Sequence, residues 1–135
     1  MSFTPYLFFI DNCREAMTAY QGVLGGQLDL VTAADMPDSP PDVPKDLIMH
    51  AALTLPNGSM LFASDDPSAT EDKGKLGFSV SYSAADPDEA ARIFKGLSDG
   101  GETTMPLSET SWSPCFGMCT DRFGVPWMVG VNAME

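Results

Sequence analysis

Few residues in this chain can do chemistry. Three cysteines (Cys13, Cys115 and Cys119) and one histidine (His50) are its whole supply of thiol and imidazole. Cys115 and Cys119 lie in the densest stretch, residues 111–130 (SWSPCFGMCTDRFGVPWMVG), which also holds both tryptophans. If residues 115–120 form a strand, the two thiols share a face but stand roughly 13 Å apart at about 3.3 Å per residue. Neither one metal ion nor a disulfide spans that distance. A reactive thiol also needs a cationic neighbour, and Arg122 is the only basic residue nearby. The expectation is therefore two small core hydrophobes.

Ser-His-Asp or Cys-His catalysis would have to run through His50. It opens a predicted strand with Ala52 and Thr54 on its side. Facing a cavity, it could orient a polar ligand or act as a base near neutral pH. A lone strand histidine is more often a hydrogen-bonded structural residue, and that reading is preferred. Ser64, Asp65 and Asp66 end another strand and could meet a cation or a ligand hydroxyl, though Asp-Asp-Pro is also an ordinary solvated turn, again the preferred reading. The aromatics differ. Phe9, Phe62, Phe78, Phe116, Trp112 and Trp127 fall on or beside predicted strands, where core packing explains most of them, yet an apolar wall with a few polar groups is also what a small-molecule site requires. Trp112, in a Ser-rich loop, is the least expected in a core and could lie over a planar or apolar ligand.

The elements that must position these residues can be read in order. Residues 4–10 (TPYLFFI) are an apolar run predicted as a strand covered on both faces. Asn12 then suits a helix N-cap, with Glu15 completing a capping box. Ala16, Ala19, Tyr20, Val23 and Leu24 recur at helical spacing until Gly25 and Gly26 stop the helix. Residues 27–33 alternate as a strand. Residues 34–45 carry four prolines and several acids, so they form a loop. Strands at 47–55 and 59–64 flank Pro56-Asn57-Gly58, a strong hairpin signal. Residues 65–74 are polar and acidic and separate two halves, taken as about 1–66 and 76–135 around a linker at about 67–75.

The second half repeats the first. A strand at 76–82 leads to Asp86, which caps a helix with Pro87 in its first turn and Glu89 completing the box. Ala90, Ile93, Phe94 and Leu97 form its buried stripe, and Gly100 and Gly101 end it. Adding 74 carries Asn12 to Asp86, Glu15 to Glu89, Ala16 to Ala90, Tyr20 to Phe94, Gly22 to Gly96 and Gly26 to Gly100. Agreement of cap, core and stop positions at one offset marks an internal repeat. Strands at 102–107, 115–120 and 126–131 follow, the last two joined by Asp121-Arg122-Phe123-Gly124, which suits a type I turn. Each half reads β-α-β-β-β, an α+β chain.

A tandem βαβββ pair of this size resembles the vicinal oxygen chelate superfamily, which includes glyoxalase I, extradiol dioxygenases and bleomycin resistance proteins. TPYLFF with EAMTAY, GSMLFASDD and the closing TDRFGVPWMV are similar to its PhnB-like subgroup. The resemblance spans nearly the whole chain. It implies a single glyoxalase-like domain, residues 1–135, whose two curved mixed sheets enclose a shared cavity, usually in a homodimer. Family members with a metal hold one divalent ion through His or Glu on the first and last strand of each half. The helix alignment carries those positions to about Pro5, Phe62, Ser79 and Met128. None of these, nor any immediate neighbour, is an imidazole or a carboxylate, so no metal is expected. The subgroup also carries a ubiquinone-pathway methyltransferase label. No Gly-rich turn joins a strand to a helix here to hold a nucleotide-like cofactor, so the residues do not support it.

Composition bounds the partners. With 135 residues, 44% hydrophobic and 19% charged, the chain can bury a full core. Seven basic against nineteen acidic residues give a formal charge of −12, which repels nucleic acid and anionic membranes. No signal-like or membrane-spanning run is present and the cysteine count is odd, so free thiols and a cytoplasmic location are expected. The function expected is small-molecule binding in an apolar cavity, without metal, in a homodimer. The lining residues would be Phe9, His50, Phe62, Ser64, Phe78, Trp112, Phe116, Trp127 and Met128. The alternative is a metal-dependent lyase, isomerase or dioxygenase with His50 as first ligand. A structural or regulatory dimer without ligand is a third reading.

Overall fold

The computed structural model describes residues 3–38, 41–68 and 75–131. The chain divides into two units, Met1–Lys73 and Gly74–Glu135. In the first, β1 (Tyr6–Phe9), α1 (Cys13–Leu24), β2 (Gln27–Thr32), β3 (Ile48–Thr54) and β4 (Met60–Asp65) follow in order, with one 3-10 turn at Ala33–Asp35. Their sheet runs β1-β4-β3-β2, with β1 parallel to β4 and the other pairs antiparallel. The second unit repeats the plan with β5 (Val80–Ala84), α2 (Pro87–Ser98), β6 (Glu102–Ser108), β7 (Phe116–Thr120) and β8 (Pro126–Val131), ordered β5-β8-β7-β6. Again the one parallel pair joins the first strand to the last.

One face of each sheet is buried beneath its helix. In the first unit Leu7, Phe9, Ala51, Leu53, Leu61 and Ala63 pack with Cys13, Ala16, Met17 and Tyr20 of α1. In the second, Cys119, Trp127 and Val129 pack with Ala90, Ile93, Phe94 and Leu97 of α2. The expected cover on both faces of the first strand does not hold. Tyr6 and Phe8 are 40% and 58% exposed while Leu7 and Phe9 are buried, so β1 alternates like any strand with one packed side.

The two helices are the same length, and the boundaries of α1 plus 74 are the boundaries of α2. Outside the helices the repeat offset is 75 from β1 and β2 to β5 and β6, and 66 from β3 and β4 to β7 and β8. A Cβ on Gly26 would meet the Thr54 carbonyl at 2.4 Å, and one on Gly101, not Gly100, would meet the Thr120 carbonyl at 2.2 Å. These are the matching corners, since Thr54 pairs with the first residue of β2 and Thr120 with the first of β6. Strands β1 and β5 slip likewise. Three residues join β1 to α1 and two join β5 to α2, and the longer connection holds Asp11 at φ 64, a left-handed conformation that Asp tolerates.

The caps differ between halves. Asp86 Oδ1 accepts the Glu89 amide at 2.8 Å, as its sequence promised, with Pro87 in the first turn. Asn12 makes no side-chain cap bond, so the capping box expected there is absent. Instead Asp65 Oδ1 accepts the Cys13 amide at 2.9 Å and Oδ2 accepts the Ile48 amide at 3.0 Å. Asp65 is buried and ends β4, so it belongs neither to a linker nor to a solvated turn. Only Asp66, whose Oδ1 accepts from the Ser68 amide and hydroxyl, behaves as the turn residue. Residues 69–74, the rest of the expected linker, lie outside the described residues.

Both hairpins form as read. Gly58 N donates to Leu55 O, and Asn57 Oδ1 accepts the Ser59 amide. In the second unit, Gly124 N donates to Asp121 O at 3.0 Å. Asp121 Oδ1 also accepts the Phe123 and Val125 amides, and Oδ2 accepts Trp127 Nε1 at 2.8 Å. No helix among the described residues is long and apolar enough to cross a membrane.

Candidate functional site

Strand alternation leaves the second face of each sheet to carry chemistry. In the first unit, register places Tyr6, Phe62 and Ala52 side by side, with Phe8 and Ser64 one step along β1 and β4 and His50 one step along β3. Tyr6 Oη lies 3.2 Å from His50 Nδ1. The Phe62 ring stands edge-on to the imidazole at 5.0 Å between centroids, and the Tyr6 ring is 5.8 Å from it. Tyr6 also contacts Phe8, at 5.0 Å. His50 is half-buried, and the rings of Tyr6 and Phe62 are its contacts on this face. Ser64 shares the face but is buried.

In the second unit, pairing puts Ser81 beside Met128, and Ser83, Gly130 and Phe116 in a row. A depression of about 190 Å³ opens there, lined by Ser81, Ser83, Trp112, Ser113, Phe116 and Gly130 among others. Trp112 is 56% exposed and meets the Phe116 ring edge-on at 5.6 Å. Its loop is fixed from below. Ser113 is buried, its Oγ lies between the carbonyls of Cys115 and Val131, and the Thr110 hydroxyl accepts the Ser113 amide at 3.1 Å. Gly130 leaves room for the Phe116 ring, since a Cβ there would lie 3.0 Å from Phe116 Cδ2. Beside the depression, Tyr82 Oη donates to Glu89 Oε1 at 3.0 Å. Burial first, then the Glu89 carboxylate, raises the Tyr82 pKa.

The expected lining residues therefore divide. His50 and Phe62 share one open face, and Trp112, Phe116 and Met128 belong to the other. Phe9 and Trp127 are core, each 2% exposed. They occupy the helix-facing positions of their strands, and the residues beside them in sequence, Phe8 and Met128, take the open ones. Phe78 is 44% exposed but precedes β5, because that strand starts at Val80 rather than at residue 76. Tyr6, Phe8, Ser81 and Ser83 were missed. A strand with Leu7 and Phe9 turned inward would have pointed to the first two.

The thiols separate as well. Cys119 is buried, while Cys115 is half-exposed and precedes β7, so only Cys119 is the core residue expected. Burial, with Asp65 adding to it, pushes the Cys13 thiol up to about 12, and burial with Asp121 raises Cys119 to about 11. Both stay protonated and unreactive at neutral pH.

Among the described residues, those at the first- and last-strand positions of each unit supply no ligand set for a divalent ion. The open-face pairs on the first and last strands are Tyr6 with Phe62 and Ser81 with Met128. Of the positions taken from the helix alignment, the first thus moves from Pro5 to Tyr6, and the third moves two residues, from Ser79 to Ser81, because the one-residue slip adds to that shift. Among the described residues, no three His, Cys, Asp or Glu side chains come together as a metal site.

Two four-stranded mixed sheets, each beneath one helix and each open on its other face, are the architecture of the glyoxalase/bleomycin resistance fold. Within that fold, the model of the family described as 3-demethylubiquinone-9 3-methyltransferase matches residues 1–130, and the chain belongs to this PhnB-like family. It is 32% identical to protein YjdN of Escherichia coli K12, over 97% of this chain and 95% of that one. Protein PA1353 of Pseudomonas aeruginosa has a crystal structure similar to this one at TM-score 0.87 and 42% identity, covering 98% of both chains. A PhnB protein from Bacillus cereus shares the fold at TM-score 0.78 and 24% identity, over 98% of this chain and 100% of that one.

Proposed function

We propose that this chain binds a small, largely apolar molecule without a metal ion, acting as a homodimer in the cytoplasm. The observation that carries this reading is Trp112. A large aromatic side chain held more than half in water, over a depression walled by Phe116 and serine hydroxyls, has little to gain from its position unless a ligand covers it. The buried Ser113 fixes the loop beside it, so ring placement costs little entropy on binding. The family's description names a methyl transfer. Here, residues 10–12 and 85–86, which join strand to helix, contain no glycine and build no Gly-rich cradle for a nucleotide-like cofactor. Binding is therefore the reading preferred over group transfer.

A thermal-shift screen of metabolites and antibiotics tests it. A true ligand at about 100 times its dissociation constant stabilises the fold by roughly 2.7 kcal/mol, and Trp112→Ala should remove most of that gain. A panel in which nothing moves the melting temperature would sink the reading. Elemental analysis of untagged protein tests the metal clause, which stoichiometric Zn, Ni, Mn or Fe lost in His50→Ala would overturn. Light scattering tests the dimer, against which a monomeric mass at micromolar concentration would count.

A further inference from the structure

We infer that Tyr6 and His50 form a hydrogen-bonding anchor for the oxygen of a neutral carbonyl compound with an aromatic or apolar body. The site is in the first unit and does not depend on Trp112. A phenolic hydroxyl donates readily, and the unprotonated ring nitrogen of imidazole is a strong acceptor. We assign the tyrosine proton to the 3.2 Å contact between Tyr6 Oη and Nδ1, with the imidazole accepting at Nδ1. A neutral imidazole that accepts at Nδ1 carries its own proton on Nε2. In that assignment Nε2–H is a donor that Tyr6 does not engage. With Nδ1 occupied, His50 binds and orients an acceptor rather than acting as a base.

Surrounding groups narrow the ligand. Phe62, Tyr6 and Phe8 supply ring surface on the same face, suited to an apolar or aromatic body. From β2, the residues paired with His50 and Ala52 are Val31 and Asp29. Asp29 thus brings a carboxylate to this face, on a chain of net charge −12. An anionic acceptor would be repelled and a neutral carbonyl would not.

The test uses two probes of similar shape, acetophenone and isopropylbenzene, with benzoate as the charged comparison, each titrated into 15N-labelled full-length protein. Long-range 1H–15N spectra of the free protein should show the His50 proton on Nε2. Acetophenone should shift the His50 ring signals and bind about tenfold more tightly than isopropylbenzene, the scale of one hydrogen bond. That preference should vanish in His50→Phe and shrink in Tyr6→Phe, both checked for native circular dichroism. A proton found on Nδ1, equal affinity for the two neutral probes, or tighter binding of benzoate would each overturn the assignment. The tautomer measurement needs no variant, so a misfolded variant cannot shield the inference. Failure of the Trp112 screen would leave this result standing, and the reverse holds too.

Discussion

Asp65 caps a helix that begins 52 residues before it, its Oδ1 taking the Cys13 amide at 2.9 Å. The other oxygen takes the Ile48 amide, so one buried carboxylate ties the start of α1 and the start of β3 to the end of β4. Asp65→Ala strands two buried donors and should cost about 3 kcal/mol or more, at 1.5–3 kcal/mol for each bond to a charged group. Urea denaturation measures the loss, and a change under about 1 kcal/mol would refute the role.

The neighbouring caps give a paired contrast. Asn12→Ala should change stability by less than about 0.5 kcal/mol, because its side chain makes no cap bond. Asp86→Ala, at the matching position of the other half, should cost about 1 kcal/mol by removing the bond to the Glu89 amide. Equal losses in the same denaturation experiment would contradict the asymmetry.

Glycines test the corner geometry. Gly101→Ala drives a Cβ into the Thr120 carbonyl and should destabilise by about 2 kcal/mol or more, through forced backbone displacement. Gly22→Ala lies inside α1 with nothing within 4 Å of the added atom. It should stabilise by about 0.8–1 kcal/mol through helix propensity. Thermal melts of the two variants should move in opposite directions.

The buried thiols imply an alkaline limit. Cys13 and Cys119 ionise in the unfolded chain near the ordinary thiol value of 9.0 but only at about 12 and about 11 when folded. Above pH 9 the unfolded state therefore holds fewer protons than the folded one, and stability falls as pH rises towards those folded values. Cys13→Ala and Cys119→Ala should each flatten that fall between pH 9 and 11. At pH 8 a thiol reagent should label Cys115 in the native protein and reach the other two only after unfolding.

The two tryptophans should separate by solvent access. Trp112 is 56% exposed and Trp127 is 2% exposed. Acrylamide should therefore quench the fluorescence of Trp127→Phe, which keeps Trp112, several-fold more effectively than that of Trp112→Phe.

Much of the fold was legible because helices announce themselves locally. Caps, stops and apolar spacing at one offset disclosed the repeat, and both hairpins followed from their turn residues. Sheet faces were harder, because strand periodicity is two and a one-residue error exchanges the sides. That error chose Phe9 over Phe8 and Pro5 over Tyr6, and with the one-residue slip of the strands added to it the helix offset of 74 pointed to Ser79 where β5 presents Ser81. Trp127 was included as an aromatic on a predicted strand, but aromatic character does not tell which face a side chain takes. Asp65 was hidden for another reason. Its partners lie 52 and 17 residues away in sequence, so no local pattern could reveal that it closes a helix.

Pro106 gives the molecule a safeguard against self-association through strands. It sits in β6, one of the two edge strands of its sheet, where the pairing to β7 slips twice. A missing N–H and a broken register make a poor template for another chain to extend, and an unbroken edge strand is a template for fibre growth. That protection of the β6 edge lies in one exposed imino acid at the rim, outside the core.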